Sequence, residues 1–157
     1  MELMERYERL KEKVVQRREE FRALMAYIEQ ETAYLTAPAS TRYHLCRERG
    51  LLEHSVNVAE HLLRIKAVLA SEISDESCVI VALLHDLGKA GMPGMPQYLR
   101  NESLTDTRRT PYCFNRDLLY LSVPIRGLYL VASRFQLTEE EVQAIVYHDG
   151  QYVEDNR

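Results

Sequence analysis

At 157 residues the chain has the length of one domain and enough material to bury a core without disulfide or metal staples. A composition of 46% hydrophobic and 28% charged residues is that of a soluble globular protein, and a net charge of -4 excludes a broad basic field for nucleic acid. Three scattered cysteines (Cys46, Cys78, Cys113) without a CxxC pair, a charged N-terminus, and no apolar run near the ~20 residues of a membrane span point to a reducing, cytoplasmic setting without a membrane.

Residues 2 to about 36 contain neither Gly nor Pro and are rich in Glu, Arg, Lys, Leu and Met, which predicts one long amphipathic helix. Tyr7, Val14, Phe21, Ile28 and Leu35 recur every seven residues, with Leu10 and Leu24 beside them, while Arg17 and Glu31 interrupt the second seam. This stripe suits either a coiled coil that joins two copies into a homodimer or a helix lying across its own domain. Residues 1–36 are taken as this helix and residues 37–157 as the domain proper.

Ala37-Pro38-Ala39-Ser40 ends the helix, because proline disfavours helical backbone before it. Thr41 to Arg49 carries Arg42, Tyr43, His44, Arg47 and Arg49, and Gly50 separates it from a helix over Leu51 to about Ala70. Leu52, Val56, Ala59, Leu63 and Ile65 are assigned to the buried face of that helix. His54 lies in its first turns, and His61 two turns on, roughly 10 Å away by helical rise, so the two cannot share an ion.

Ser74 caps the next helix, with acids in its first turn, and Val79 to Leu84 make it apolar nearly all round, hence central. It runs into His85-Asp86-Leu87 and stops at Gly88. Gly91 to about Tyr112, punctuated by glycine and proline and carrying Arg100, Arg108 and Arg109, reads as a long loop, a candidate lid. Asn115 to Leu121 is expected to be a short helix. Pro124 begins a helix to about Phe135 with Leu128, Leu130, Val131 and Ala132 buried. Thr138 and Glu141 form a capping box for the last helix, which buries Val142, Ile145 and Val146 and ends at Tyr147-His148-Asp149 before Gly150. No strand is predicted; the fold class is all-α.

Burying a histidine and an aspartate side by side costs several kcal/mol unless both are satisfied. His85-Asp86 at the end of an apolar helix, with His54 about thirty residues earlier, Lys89 just after and His148 at a later helix end, therefore suggests a metal centre. Imidazole and carboxylate together suit Mn, Fe, Ni, Co, Zn or Mg. Lys89 would place a cation beside anything bound there, such as a phosphate.

The segments Gly50-Leu51-Leu52-Glu53-His54-Ser55, Leu84-His85-Asp86-Leu87-Gly88-Lys89 and Ala144-Ile145-Val146-Tyr147-His148-Asp149-Gly150 resemble the HD-domain superfamily of metal-dependent phosphohydrolases. The approach Pro38-Ala39-Ser40-Thr41-Arg42-Tyr43-His44 resembles its bacterial 3′-5′ exonuclease-like and phage-type branch. The resemblance implies a compact helical HD bundle. It implies His54, His85 and Asp86 as ligands of a divalent metal, and hydrolysis of a nucleotide or other phosphoester by metal-activated water. It further implies catalytic roles for Asp86, Lys89 and His148, and substrate contacts from His44 and Lys89, to which Arg126 is added as a further cation for the phosphate. A phosphate-containing small molecule or an oligonucleotide end is the expected partner. Relatives supply a last aspartate from a further helix beyond the position of Gly150, and here Asp149 and Asp155 are the only late aspartates before Arg157. The alternative is therefore a catalytically impaired HD scaffold that binds a ligand or partner without turnover.

Overall fold

The computed structural model describes residues 2–102 and 110–150. The element order is α1 (Leu3–Lys11), α2 (Arg18–Glu31), α3 (Gly50–Leu69), α4 (Asp75–Leu84), a 3-10 turn (Leu87–Ala90), β1 (Tyr98–Arg100), β2 (Tyr112–Phe114), α5 (Val123–Ala132) and α6 (Glu139–Val146). The protein is mostly helical, as its sequence predicts. Arg108, Arg109 and Asp155 lie outside the described residues.

The single N-terminal helix is corrected to two. Backbone hydrogen bonds from Lys13 and Val14 to Leu10 and Lys11 tighten the end of α1, and Val14 drops fully into the core. The freed amides of Val15 and Gln16 donate to the Glu76 carboxylate at 2.8 and 2.7 Å. Arg17 Nε donates to the same carboxylate at 2.7 Å, and its other nitrogens reach Glu141 at 2.9 and 2.6 Å. Burial pushes both carboxyls upward, and their bonds to Arg17 and to backbone amides together outweigh it and hold them below the usual range. Helix propensity alone would have carried α1 onward; a long-range network overrides it. The stripe of Tyr7, Val14, Phe21 and Ile28 is buried in the chain's own core, together with residues of α3 and α4.

α4 is the central helix, with Val79, Ile80, Ala82 and Leu83 fully buried. Ser74 caps it by accepting the Ser77 amide at 2.9 Å. The buried Tyr34 hydroxyl donates to Leu83 O at 2.9 Å and so satisfies a carbonyl of its last turn. The helix closes at Leu84, and Asp86 already leaves helical geometry (φ -105°, ψ 11°). Gly88 is required by packing: a Cβ there would lie 2.1 Å from Val123 O, where α5 begins. The capping box of Thr138 and Glu141 on α6 is formed as expected.

Other differences are local. Ile65 is 54% exposed and Ala132 is exposed, because neither has a neighbouring element over it. β1 and β2 pair antiparallel, Leu99 opposite Cys113; strands this short carry too little alternation to be read from sequence. Residues 115–121 form no helix, since Asn115 Oδ1 takes the Asp117 amide in a side-chain turn.

Candidate metal centre

α3 and the end of α4 bring His54, His85 and Asp86 together. His54 Nε2 lies 3.2 Å from His85 Nε2 and 3.4 Å from Asp86 Oδ2, and His85 Nε2 lies 3.5 Å from the same oxygen. A tetrahedral ion with ligand bonds of about 2.1 Å separates its donors by roughly 3.4 Å. The observed triangle has the edges that such an ion demands, so the residues fit a divalent metal.

The outer contacts set the donor atoms. His85 Nδ1 is 2.8 Å from Ala82 O, and a carbonyl only accepts, so Nδ1 carries the proton and Nε2 offers its lone pair to the triangle. His148 Nδ1 donates in the same way to Ile145 O at 2.7 Å, turning its Nε2 toward Asp86 Oδ1 at 3.6 Å. Lys89 Nζ donates to Asp86 Oδ2 at 2.6 Å.

Electrostatics favour ligation. Burial, then the neighbouring His85, lowers the His54 pKa to about 4, so its imidazole is neutral at physiological pH. Burial would raise Asp86, but the hydrogen bond from His148 and the neighbouring His85 and Lys89 together outweigh it and hold the carboxyl far below its usual range. His148 is shifted upward, chiefly by its hydrogen bond to Asp86.

The triangle lies in a cleft of about 430 Å³ between α3, the end of α4 and the end of α6. Val58, Leu62 and Val81 form one wall, and His44, Lys89, His148 and Asp149 the rim.

The HD domain family model matches residues 51–149, more than half of the chain and all of the triangle. The chain belongs to the HD domain family. No curated protein and no solved structure matches it. Members of this family are typically metal-dependent hydrolases, and this HD domain has the histidine and aspartate cluster that such chemistry needs.

The remaining expected site residues divide. His44 sits at the mouth of the cleft of this HD domain, its ring centroid 5.1 Å from that of His54. The Ser40 hydroxyl holds its loop by donating to His44 O and accepting the Tyr43 amide. His148 closes the far side, its ring edge-on to His85 with centroids 5.0 Å apart. His61 is exposed and bonded to its own helix at Asn57 O, apart from the cluster. Arg126 is corrected: it is buried and does not line the cleft. Its guanidinium donates to Gly88 O at 3.2 Å, to Leu119 O at 3.0 Å and to Gln97 Oε1, and so braces the turn behind the site.

Sequence reasoning passed over the apolar wall. Val58 and Leu62 follow His54 at steps of four residues, and Val81 precedes His85 by four, a helical spacing that was available to find them. It named Asp149 only as a late acid; Asp149 Oδ1 lies 3.5 Å from His148 Nε2.

Proposed function

We propose that this HD domain is a metal-dependent phosphohydrolase acting on a nucleotide or another phosphoester, as a small molecule or an oligonucleotide end. The observation that carries the proposal is the triangle of His54, His85 and Asp86 with Lys89 bonded to the same carboxylate. The resemblance of residues 38–44 to the exonuclease-like and phage-type branch supports a nucleotide substrate.

A divalent ion held by His54, His85 and Asp86 would supply Lewis acidity, making water more acidic and, by polarising a phosphoryl oxygen, phosphorus more electrophilic. Lys89 stands where it neutralises charge developing on the phosphoryl oxygens. His148, with its raised affinity for a proton, is the acid for the departing oxygen. His44 at the mouth binds the substrate. In the net reaction water adds its oxygen to phosphorus, the ester P–O bond breaks, and the alcohol leaves with the proton from His148. The proton lost by water restores that imidazolium.

A scaffold that binds without turnover is favoured by one observation: among the described residues the cluster has a single carboxylate. Three protein donors nevertheless suffice in many catalytic zinc sites. Metal analysis of the purified protein, followed by a phosphoester panel in Mn, Ni, Co, Zn and Mg, separates the two. Turnover lost on His85→Ala supports the hydrolase. Bound metal without turnover of any ester rejects it.

A further inference from the structure

The metal cleft is one end of a longer trough. A second cavity of about 480 Å³ adjoins it, floored by α4 and walled by α3 and α6, and Leu62 and Val81 line both. The three walls share one pattern. On α3, His54 is followed at helical spacing by Val58 and Leu62. On α4, His85 is preceded by Val81 and Cys78. Ala144, on α6, precedes His148, which lies just past the end of that helix. Each stripe begins with a group at the polar end and continues as apolar surface.

Charge is distributed just as unevenly. Lys89 is the only lysine or arginine among the described residues lining either cavity, and Asp86 already engages it at 2.6 Å. Asp149 adds a negative charge at the mouth. Glu140 and Glu141 stand at the far end, Glu141 being bonded to Arg17. A divalent ion and one lysine against two aspartates leave a net charge of +1, enough to hold a single phosphoryl group and no more. A chain of phosphates would have to lie along apolar wall or against carboxylates.

We infer that the site binds a phosphomonoester of an apolar alcohol, its single phosphoryl group at the histidine end and its aryl or alkyl body in the trough. This rests on the phosphohydrolase reading above and narrows it, from nucleotides to the other phosphoesters. The two cavities together have the size of a small-molecule site, and the body would be held by removal of apolar surface from water. The preference for one phosphoryl group is set by Lys89 and Asp149, and the preference for the body by Leu62, Val81 and Ala144.

The test is equilibrium binding to the full-length Mn-loaded protein of 1-naphthyl phosphate, glycerol phosphate, inorganic phosphate and a nucleoside triphosphate supplied with Mg, with turnover recorded separately. Naphthyl phosphate is expected to bind at least about tenfold more tightly than glycerol phosphate, and the triphosphate no more tightly than inorganic phosphate. In Ala144→Asp, which adds a carboxylate at an exposed trough position, the ratio of naphthyl to glycerol phosphate affinity should fall toward unity. The ratio is read within one preparation, so a loss of folded protein does not mimic it. Equal affinities for the two esters in the wild type, or a triphosphate that binds most tightly, overturn the inference. So does a dimer in sedimentation that Ala144→Asp dissociates, if naphthyl phosphate shows no preference: the trough would then belong to a second copy. Naphthyl phosphate bound but not cleaved supports the ligand class and counts against the hydrolase. Equal binding with turnover of both esters does the reverse.

Discussion

His54 and His85, thirty-one positions apart in the chain, face each other with their Nε2 atoms 3.2 Å apart. Two lone pairs so close repel unless a proton or a cation lies between them. Replacing either histidine by alanine removes one of three donors. Altering a supporting residue alone costs 10–100-fold in metal affinity, so loss of a donor should cost more than about 100-fold. Metal content after dialysis, or titration calorimetry with Zn or Mn, measures this. Full occupancy in His85→Ala would reject the ligand set.

Lys89 bonds Asp86 without belonging to the triangle. Lys89→Met should therefore retain the metal while lowering phosphoester turnover by about 10²–10³, the usual effect of removing one group that stabilises developing charge. Retained turnover would confine Lys89 to structure.

Gly88 has no space for a side chain, with Val123 O in the way of a Cβ. Gly88→Ala must push α5 away from the turn that carries Asp86, an overpacking that should cost about 1–3 kcal/mol. Denaturant melts give the number. An unchanged midpoint would show that α5 yields freely.

Arg17 joins the α1–α2 turn to α4 and α6 through Glu76 and Glu141. Both carboxylates are buried. Arg17→Met leaves them without their cation and should destabilise the fold by roughly 3 kcal/mol. Glu76→Gln combined with Glu141→Gln in that background should restore part of the loss.

The metal-free protein should lose stability on both sides of a maximum near neutral pH. His54 titrates lower when folded, at about 4, so the unfolded chain binds more protons below about 6.5. Stability therefore falls as pH drops from that value toward 4. The lowered Asp86 contributes stability that persists through this window and is lost only at lower pH. His148 is raised, so its contribution is complete below about 6.5 and disappears as pH rises through its folded value. Thermal melts in chelator should show the maximum, and His54→Gln should flatten the acid limb. An acid limb unchanged in that variant would contradict the assignment.

The element types that depend on near neighbours were legible in the residues. Ser74 and the Thr138–Glu141 box begin helices because their side chains accept amides three residues away in the chain. The apolar run into His85-Asp86 marked the buried helix and the metal pair together, since polar groups at the end of such a run need partners. What distant residues decide was not legible. The break after α1 depends on Glu76, about sixty residues away. The β1–β2 pairing joins residues distant in the chain, such as Leu99 and Cys113.

The site divides in the same way. The sequence alone determined an all-α fold and the identities of His54, His85, Asp86, Lys89 and His148 as the polar cluster, because titratable groups at the ends of apolar helices are conspicuous and costly. Only the tertiary structure decided that His54 and His85 meet at ligand distance, that Arg126 braces Gly88 O and Leu119 O, and that an apolar trough continues from the cluster. The spacing of residues along a helix fixes which face they share. Which faces then meet is set by packing among all the helices at once.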